Sequence, residues 1–158
     1  MTAPAFGIHR LDDPARADEL HALVQGAFGA LAIDPPSSML KETVADVAAR
    51  LRAETCYVVE ADVRLIGSVF CVPQQDALYI GRLAVAADWR RRGVASALIE
   101  AAKAEARRIG AARITLKARI ALADNVALFR RHGFVIVAQE TRAGYAAPTS
   151  YAMAFAMT

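Results

Sequence analysis

The sequence predicts a mixed α/β (α+β) fold, a mostly antiparallel central sheet of about seven strands flanked by about four helices, in the order β-α-α-β-β-β-α-β-α-β-β. Three observations predict it. Runs rich in β-branched and aromatic residues recur along the whole chain, apolar residues at helical spacing separate them, and glycine, proline or aspartate marks the junctions. No internal repeat or low-complexity tract interrupts the order, and 158 residues suit a single domain spanning 1–158 with one continuous core.

Phe6 to Leu11 reads as a first strand. Asp12 or Asp13 ahead of Pro14 supplies an N-cap with proline in the first turn, and a helix is expected to about Leu31. Ile33-Asp34-Pro35-Pro36-Ser37-Ser38 breaks that helix, because proline is excluded from a helix interior, and a second helix is expected from about Met39 to Arg52. The two helices form an early flap. Thr55 to Glu60 and Leu65 to Val72 form a hairpin with Asp62 as turn former, and a third strand runs from about Ala77 to Ala86.

The next helix has Val94, Ala97, Leu98, Ala101 and Ala102 on its apolar side, Ser96, Glu100, Lys103 and Arg107 on the other, and Gly110 at its end. Arg113 to Leu116 is a strand, Asp124 to His132 a short helix closed by Gly133, and Phe134 to Val137 another strand. A loop through Gly144 and Pro148 leads to the last strand, about Ser150 to Ala156.

The formal charge of +3 and the pI near 9.1 are mildly basic, with acidic residues spread throughout, which predicts no nucleic-acid partner. The segment Met1 to Gly7 lacks a basic head followed by an apolar core, and no apolar run is long enough to span a bilayer, so a cytoplasmic protein without a membrane partner is expected. Cys56 and Cys71 make neither a disulfide framework nor a metal site; both are expected buried and reduced, facing each other across the hairpin. His9, His21 and His132 have no ligand spacing, so no metal is expected.

The strongest chemical signal is local. An apolar strand passes through Arg90-Arg91-Arg92-Gly93 into a helix beginning at Val94. Three guanidinium groups at a helix N-terminus add positive charge where the helix dipole and outward-pointing N–H groups already supply it, so the turn fits a bound polyanion. Gly93 lets phosphate oxygens approach the backbone with no side chain in the way. Trp89 is expected to pack this turn against the sheet.

Two segments then carry a family resemblance. Arg90-Arg91-Arg92-Gly93-Val94-Ala95, after a strand ending Arg82-Leu83-Ala84-Val85, is similar to the arginine-or-glutamine, two residues, glycine, one residue, glycine-or-alanine turn of the GNAT family of acyl-CoA-dependent N-acyltransferases. Asn125-Val126-Ala127-Leu128-Phe129-Arg130-Arg131-His132-Gly133-Phe134 resembles that family's asparagine-to-glycine-phenylalanine segment. The resemblance covers nearly the whole chain. It implies an N-acetyltransferase that uses acetyl-CoA as co-substrate and an amine acceptor, with a homodimer plausible for the family. It implies fourth and fifth strands that splay apart, often beside a bulge, with the pantetheine arm lying along the strand edge. Leu83, Ala84 and Val85 would supply that edge. Arg90, Arg91, Arg92, Gly93, Val94, Ala95 and Ser96 would hold the pyrophosphate. Asn125 would reach the pantetheine arm or the acyl end, although it equally suits a helix cap, and Phe129 would line the pocket.

The catalytic groups depart from the common family pattern. Phe129 stands where many members carry a tyrosine and cannot protonate the leaving sulfur. Tyr79 stands where some members carry a glutamate, and a tyrosine, ionising near pH ~10, is a poor base at neutral pH. Tyr79, Tyr145 and Tyr151 are the candidates for proton transfer. An alternative from another class is a non-catalytic acyl-CoA-binding module in which these departures mark lost chemistry.

Overall fold

The computed structural model describes residues 6–158; the expected absence of a leader at Met1 to Ala5 lies outside the described residues. The elements follow the expected order: β1 Gly7–Leu11, α1 Ala17–Gly29, α2 Val44–Ala53, β2 Thr55–Ala61, β3 Arg64–Gln74, β4 Ala77–Val85, α3 Val94–Ile109, β5 Arg113–Arg119, α4 Ala123–Arg131, β6 Val135–Glu140 and β7 Ser150–Ala156. The strands form one seven-stranded sheet, β1-β2-β3-β4-β5-β7-β6. The β4–β5 pairing is parallel, whereas β1–β2, β2–β3, β5–β7 and β6–β7 are antiparallel.

The chain divides into two compact units, one holding the chain up to Val72 with Arg82–Ala102, the other Pro73–Gly81 with Lys103–Thr158. In the first unit Leu20 and Val24 of α1, Val47 and Leu51 of α2, and Val58 and Phe70 of the hairpin form one buried cluster. The two helices start differently from the sequence expectation. Asp13 does cap, accepting from the Ala15 N–H at 2.9 Å, but the turn it caps is the 3₁₀ segment Pro14–Arg16, and α1 begins only at Ala17. The helix expected from Met39 is instead a 3₁₀ turn, Ser38–Lys41, followed by α2. The interruption has a local cause: Thr43 and Asp46 form a reciprocal capping box, with bonds of 2.9 and 3.1 Å, and a residue in that extended N-cap conformation cannot continue an earlier helix.

Within the hairpin, register pairs Cys56 with Phe70 and Thr55 with Cys71, so the cysteines sit on adjacent strands but on opposite faces of the sheet. Neither cysteine is in a disulfide, both are buried, and burial pushes the Cys56 thiol far above its ordinary pKa. Ile66 is the extra residue of a bulge between Leu65 and Gly67. Its carbonyl accepts from the Ala86 N–H at 2.8 Å, tying β3 to the segment that leaves β4.

In the second unit β5 pairs with β7 along its whole length and β7 pairs with the edge strand β6. Both α3 and α4 end in six-to-one and five-to-two bonds around Gly110 and Gly133: Ala111 to Ala106 at 2.9 Å and Gly110 to Arg107 at 3.2 Å, then Phe134 to Phe129 at 3.1 Å and Gly133 to Arg130 at 3.0 Å. Phe134 packs between Phe129 and Phe155, at centroid distances of 5.9 and 5.5 Å. Lys103, which helical spacing assigned to the polar side of α3, is buried instead. Its ammonium donates to the His132 carbonyl at 2.8 Å and lies 4.1 Å from the Phe155 ring centroid.

The hairpin turn places both central residues, Asp62 (φ 51°) and Val63 (φ 59°), in the left-handed region, as a two-residue type I′ turn requires. Aspartate tolerates this; a β-branched residue does not, and Val63 is also 86% exposed, so no packing compensates. Val63→Gly, which creates the favoured Asp-Gly turn, is expected to stabilise the protein by about 1 kcal/mol. Thermal unfolding should register this as a rise of about 2–4 °C in Tm.

Candidate functional site

The arginine turn lies between a short 3₁₀ segment, Ala87–Trp89, and α3. Arg90 is extended (φ −67°, ψ 151°), Arg91 (φ 62°) and Gly93 (φ 84°) are left-handed, and all four residues from Arg90 to Gly93 are exposed. The first bond of α3 runs from the Ala97 N–H to the Gly93 carbonyl at 3.0 Å, so the preceding N–H groups belong to the open positive end of a 16-residue helix. A Cβ built at Gly93 would have nothing within 4 Å, which leaves free approach over the backbone at that point. A side chain there would still be strained, since its φ suits glycine.

Three contacts fix the turn. Trp89 is held edge-on by Phe6, with centroids 6.3 Å apart, and the Arg92 guanidinium lies 5.1 Å from its ring centroid. Arg64 grips Asp88 with a two-pronged ion pair at 2.7 and 3.0 Å, which holds the Asp88 carboxyl below its ordinary pKa. Beneath, α3 is seated on Gly67 of β3. A Cβ there would fall 2.6 Å from Val94 Cγ1 and 3.1 Å from Leu98 Cδ1, so only glycine admits the helix at this distance.

The strand leading to the turn is kinked. The β4–β5 register runs Ala77↔Arg113, Leu78↔Ile114, Tyr79↔Thr115 and ends there, although β4 continues to Val85. Within that continuation Arg82 adopts φ 54°, a left-handed conformation that costs a non-glycine residue about 1–2 kcal/mol. Its guanidinium is held by Glu42 through Nε to both carboxylate oxygens (3.1 and 3.1 Å) and Nη2 to Oε2 (2.7 Å). Arg50 adds a bond to the same Glu42 oxygen at 2.8 Å and another to Glu54 at 2.8 Å. Only 9% of the Glu42 side chain and 14% of the Arg82 side chain are exposed. Together with Ser38, Lys41 and Asp46 these groups line a cleft of about 620 Å³. Neither Glu42 nor Arg82 carries a sequence signal for this role, since the pairing spans 40 residues and each reads as a lone surface charge.

The tyrosines do not converge. Tyr79 occupies the last β4 position in register with β5 and lines a cleft of about 290 Å³ with Gln74, Thr115, Lys117 and Ala152. Tyr151 pairs with Ala118, three positions beyond Thr115, and so points to the opposite face of the sheet from Tyr79. Tyr145 lies in the β6–β7 loop, 37% exposed. Asn125 is exposed in the first turn of α4, whose N-cap residue is Leu122 with no side-chain bond, so Asn125 is not the N-cap. Phe129 is buried against Phe134. Among the described residues no group of three or more His, Cys, Asp and Glu could hold a metal ion, and no helix is long and apolar enough to cross a membrane.

Comparison with known families matches residues 18–134 to the acetyltransferase (GNAT) family. The chain belongs to that family. A GNAT acetyltransferase structure from Streptococcus pneumoniae superposes with a TM-score of 0.79 at 20% identity, covering 98% of this chain and 100% of that one. The ribosomal-protein-S18-alanine N-acetyltransferase of Escherichia coli gives 0.77 at 19% identity, with 96% and 94% covered. The PaiA N-acetyltransferase of Thermoplasma acidophilum, solved with coenzyme A, gives 0.80 at 13% identity, with 97% and 99% covered. At these identities the likeness is one of fold. Among curated proteins no sequence matches.

In this GNAT chain the Glu42 carboxyl is subject to opposed effects. Burial pushes its pKa up, but the hydrogen bonds and charges of Arg82 and Arg50 outweigh it and hold the group below the ordinary glutamate value of about 4.3. A depressed folded-state pKa gives stability that is complete above the unfolded value and lost as pH falls through the folded one. Urea unfolding across a pH series should therefore show wild type exceeding Glu42→Gln by a constant margin above about pH 5, shrinking progressively below about pH 4.

Proposed function

We propose that this chain transfers an acetyl group from acetyl-CoA to a primary amine, on a small molecule or a protein, by direct attack within a ternary complex. The observation that carries the reading is the exposed Arg90–Gly93 turn at the open start of α3, immediately downstream of a kinked β4, in a chain of the GNAT family. Pyrophosphate suits the backbone N–H groups from Arg91 to Ser96, with the Arg90, Arg91 and Arg92 guanidiniums supplying charge around it. The pantetheine arm, itself an amide chain, suits the backbone of Leu83, Ala84 and Val85 as an added strand. Asn125 supplies an amide able to donate and accept toward that arm or the acyl end, and Phe129 an apolar wall. The family match runs across both compact units, which supports one catalytic domain over 1–158. We place the enzyme in the cytoplasm, where two buried cysteines outside any disulfide persist, and take a homodimer as its working form.

In the reaction the neutral amine attacks the thioester carbonyl carbon. The new C–N bond forms, the C–S bond breaks, and the amine proton must leave while the thiolate departs. Tyr79 is the group we assign to that proton, because it sits where β4 parts from its register with β5. Tyr145 and Tyr151 are the remaining hydroxyls for the sulfur. A second reading, a non-catalytic acyl-CoA-binding module, is favoured by Phe129 at the position of the common tyrosine, and thiol release over a panel of amines decides between them.

Calorimetric titration at physiological salt should show acetyl-CoA binding more tightly than adenosine 3′-phosphate 5′-diphosphate, which keeps the pyrophosphate but lacks the pantetheine arm. Gly93→Glu, which puts strain and a negative charge into the turn, should weaken acetyl-CoA binding by at least about tenfold in a folded protein. Equal or absent binding by wild type would remove the reading. Once an acceptor is identified, Tyr79→Phe should lower kcat about a hundredfold with little change in the KM for acetyl-CoA; unchanged turnover would take Tyr79 out of the mechanism.

A further inference from the structure

We propose that Glu42 is a positioning residue for acetyl-CoA, acting through Arg82: its carboxylate holds the kink of β4 in the shape that presents Leu83 and Val85 to the pantetheine arm. The proposal rests on the acetyl-CoA reading above. It is motivated by an oddity in the backbone. Arg82 stands at φ 54° inside a strand, with Gly81 directly before it, although glycine is the residue such a conformation favours. A strained arginine persists only where its surroundings over-determine it. Here the surroundings are identifiable, since three guanidinium contacts of 2.7 to 3.1 Å, largely shielded from water, join Arg82 to Glu42.

Glu42 is itself anchored on every side. The His21 ring donates from Nε2 to its backbone carbonyl at 2.8 Å, Thr43 starts the capping box of α2, and the side chain of Arg50 bonds its Oε2. Gln25 holds the neighbouring 3₁₀ turn through the Met39 carbonyl at 2.7 Å. The segment between α1 and α2 therefore acts as a fixed bracket, and Glu42 is the side chain by which it grips the strand. An exposed ion pair would contribute little, but this one is mostly buried and its arginine end is the strained residue itself. The grip orients the peptide groups on both sides of Arg82. The next residue, Leu83, is the one whose backbone is proposed to meet pantetheine.

The test compares two ligands in a mutant cycle. For each protein the calorimetric affinity for acetyl-CoA is divided by that for adenosine 3′-phosphate 5′-diphosphate, which keeps the pyrophosphate and lacks the pantetheine arm, so that damage to the turn or to the fold cancels and only the pantetheine preference is read. Glu42→Gln, which keeps shape but loses the charge, should lower that preference by about tenfold. Arg82→Gly adopts the kink without a partner, so adding Glu42→Gln to it should change the preference no further. A preference retained in Glu42→Gln, or lost by the same factor with arginine and with glycine at position 82, would overturn the proposal while leaving acetyl-CoA binding intact. A wild-type protein without the preference would instead overturn the acetyl-CoA reading itself. Should Glu42→Gln not fold, Arg82→Lys serves in its place: it keeps the charge without the planar fork, and an unchanged preference there overturns the proposal.

Discussion

The distance between α3 and β3 is set by the absence of a side chain at Gly67, and the usefulness of the helix start depends on that distance. With any Cβ at this position Val94 and Leu98 would have to move, and Val94 is the first residue of α3. Displacing it moves the ring of N–H groups that opens the helix. The bulge at Ile66 works in the same place, since its carbonyl holds the Ala86 N–H just before the chain turns toward the arginines. The positive end of α3 is thus located by main-chain and van der Waals contacts with β3. The arginines add charge to a place already fixed.

Around that point the structure spends conformational strain in a few defined positions. Arg82 and Arg91 both stand in the left-handed region. Arg82 is answered by a buried ion pair; Arg91 belongs to a turn whose flanks are held by Trp89 with Arg92 and by Asp88 with Arg64. Backbone strain concentrated beside a candidate ligand site is a familiar pattern in proteins, because a pre-shaped backbone loses less freedom when ligand arrives. The contrast with Val63 is instructive. It has the same backbone conformation, a side chain 86% exposed and no proposed role, so it is simply a position where the turn is imperfectly served.

The candidate catalytic residues are less concentrated than the candidate binding residues. Tyr79 and Tyr151 lie on opposite faces of the sheet by register, and Phe129 is engaged with Phe134. An acyl transfer of this kind demands little of a single side chain, since the amine is the nucleophile and the thiolate a stable leaving group. Placing two reactants at the right distance supplies much of the acceleration, and that is the task proposed for the binding groups.

The amino-acid sequence by itself determined the element order, the last strand from Ser150 to Ala156, the arginine turn, and the helix ends at Gly110 and Gly133, because these depend on local periodicity and on residues with restricted or unusual backbone preferences. It also carried the family. What it left undecided were features made by partners distant along the chain. The start of α2 was misplaced because a capping box four residues inside the expected helix overrides mere helical spacing. Lys103 was taken for solvent-facing because spacing assigns a face but does not show that the His132 carbonyl and the Phe155 ring lie there. The grip of Glu42 on Arg82 belongs wholly to the tertiary structure. Forty residues separate the two, and the energy that makes the pair matter, removal from water beside a strained backbone, exists only once the chain has folded.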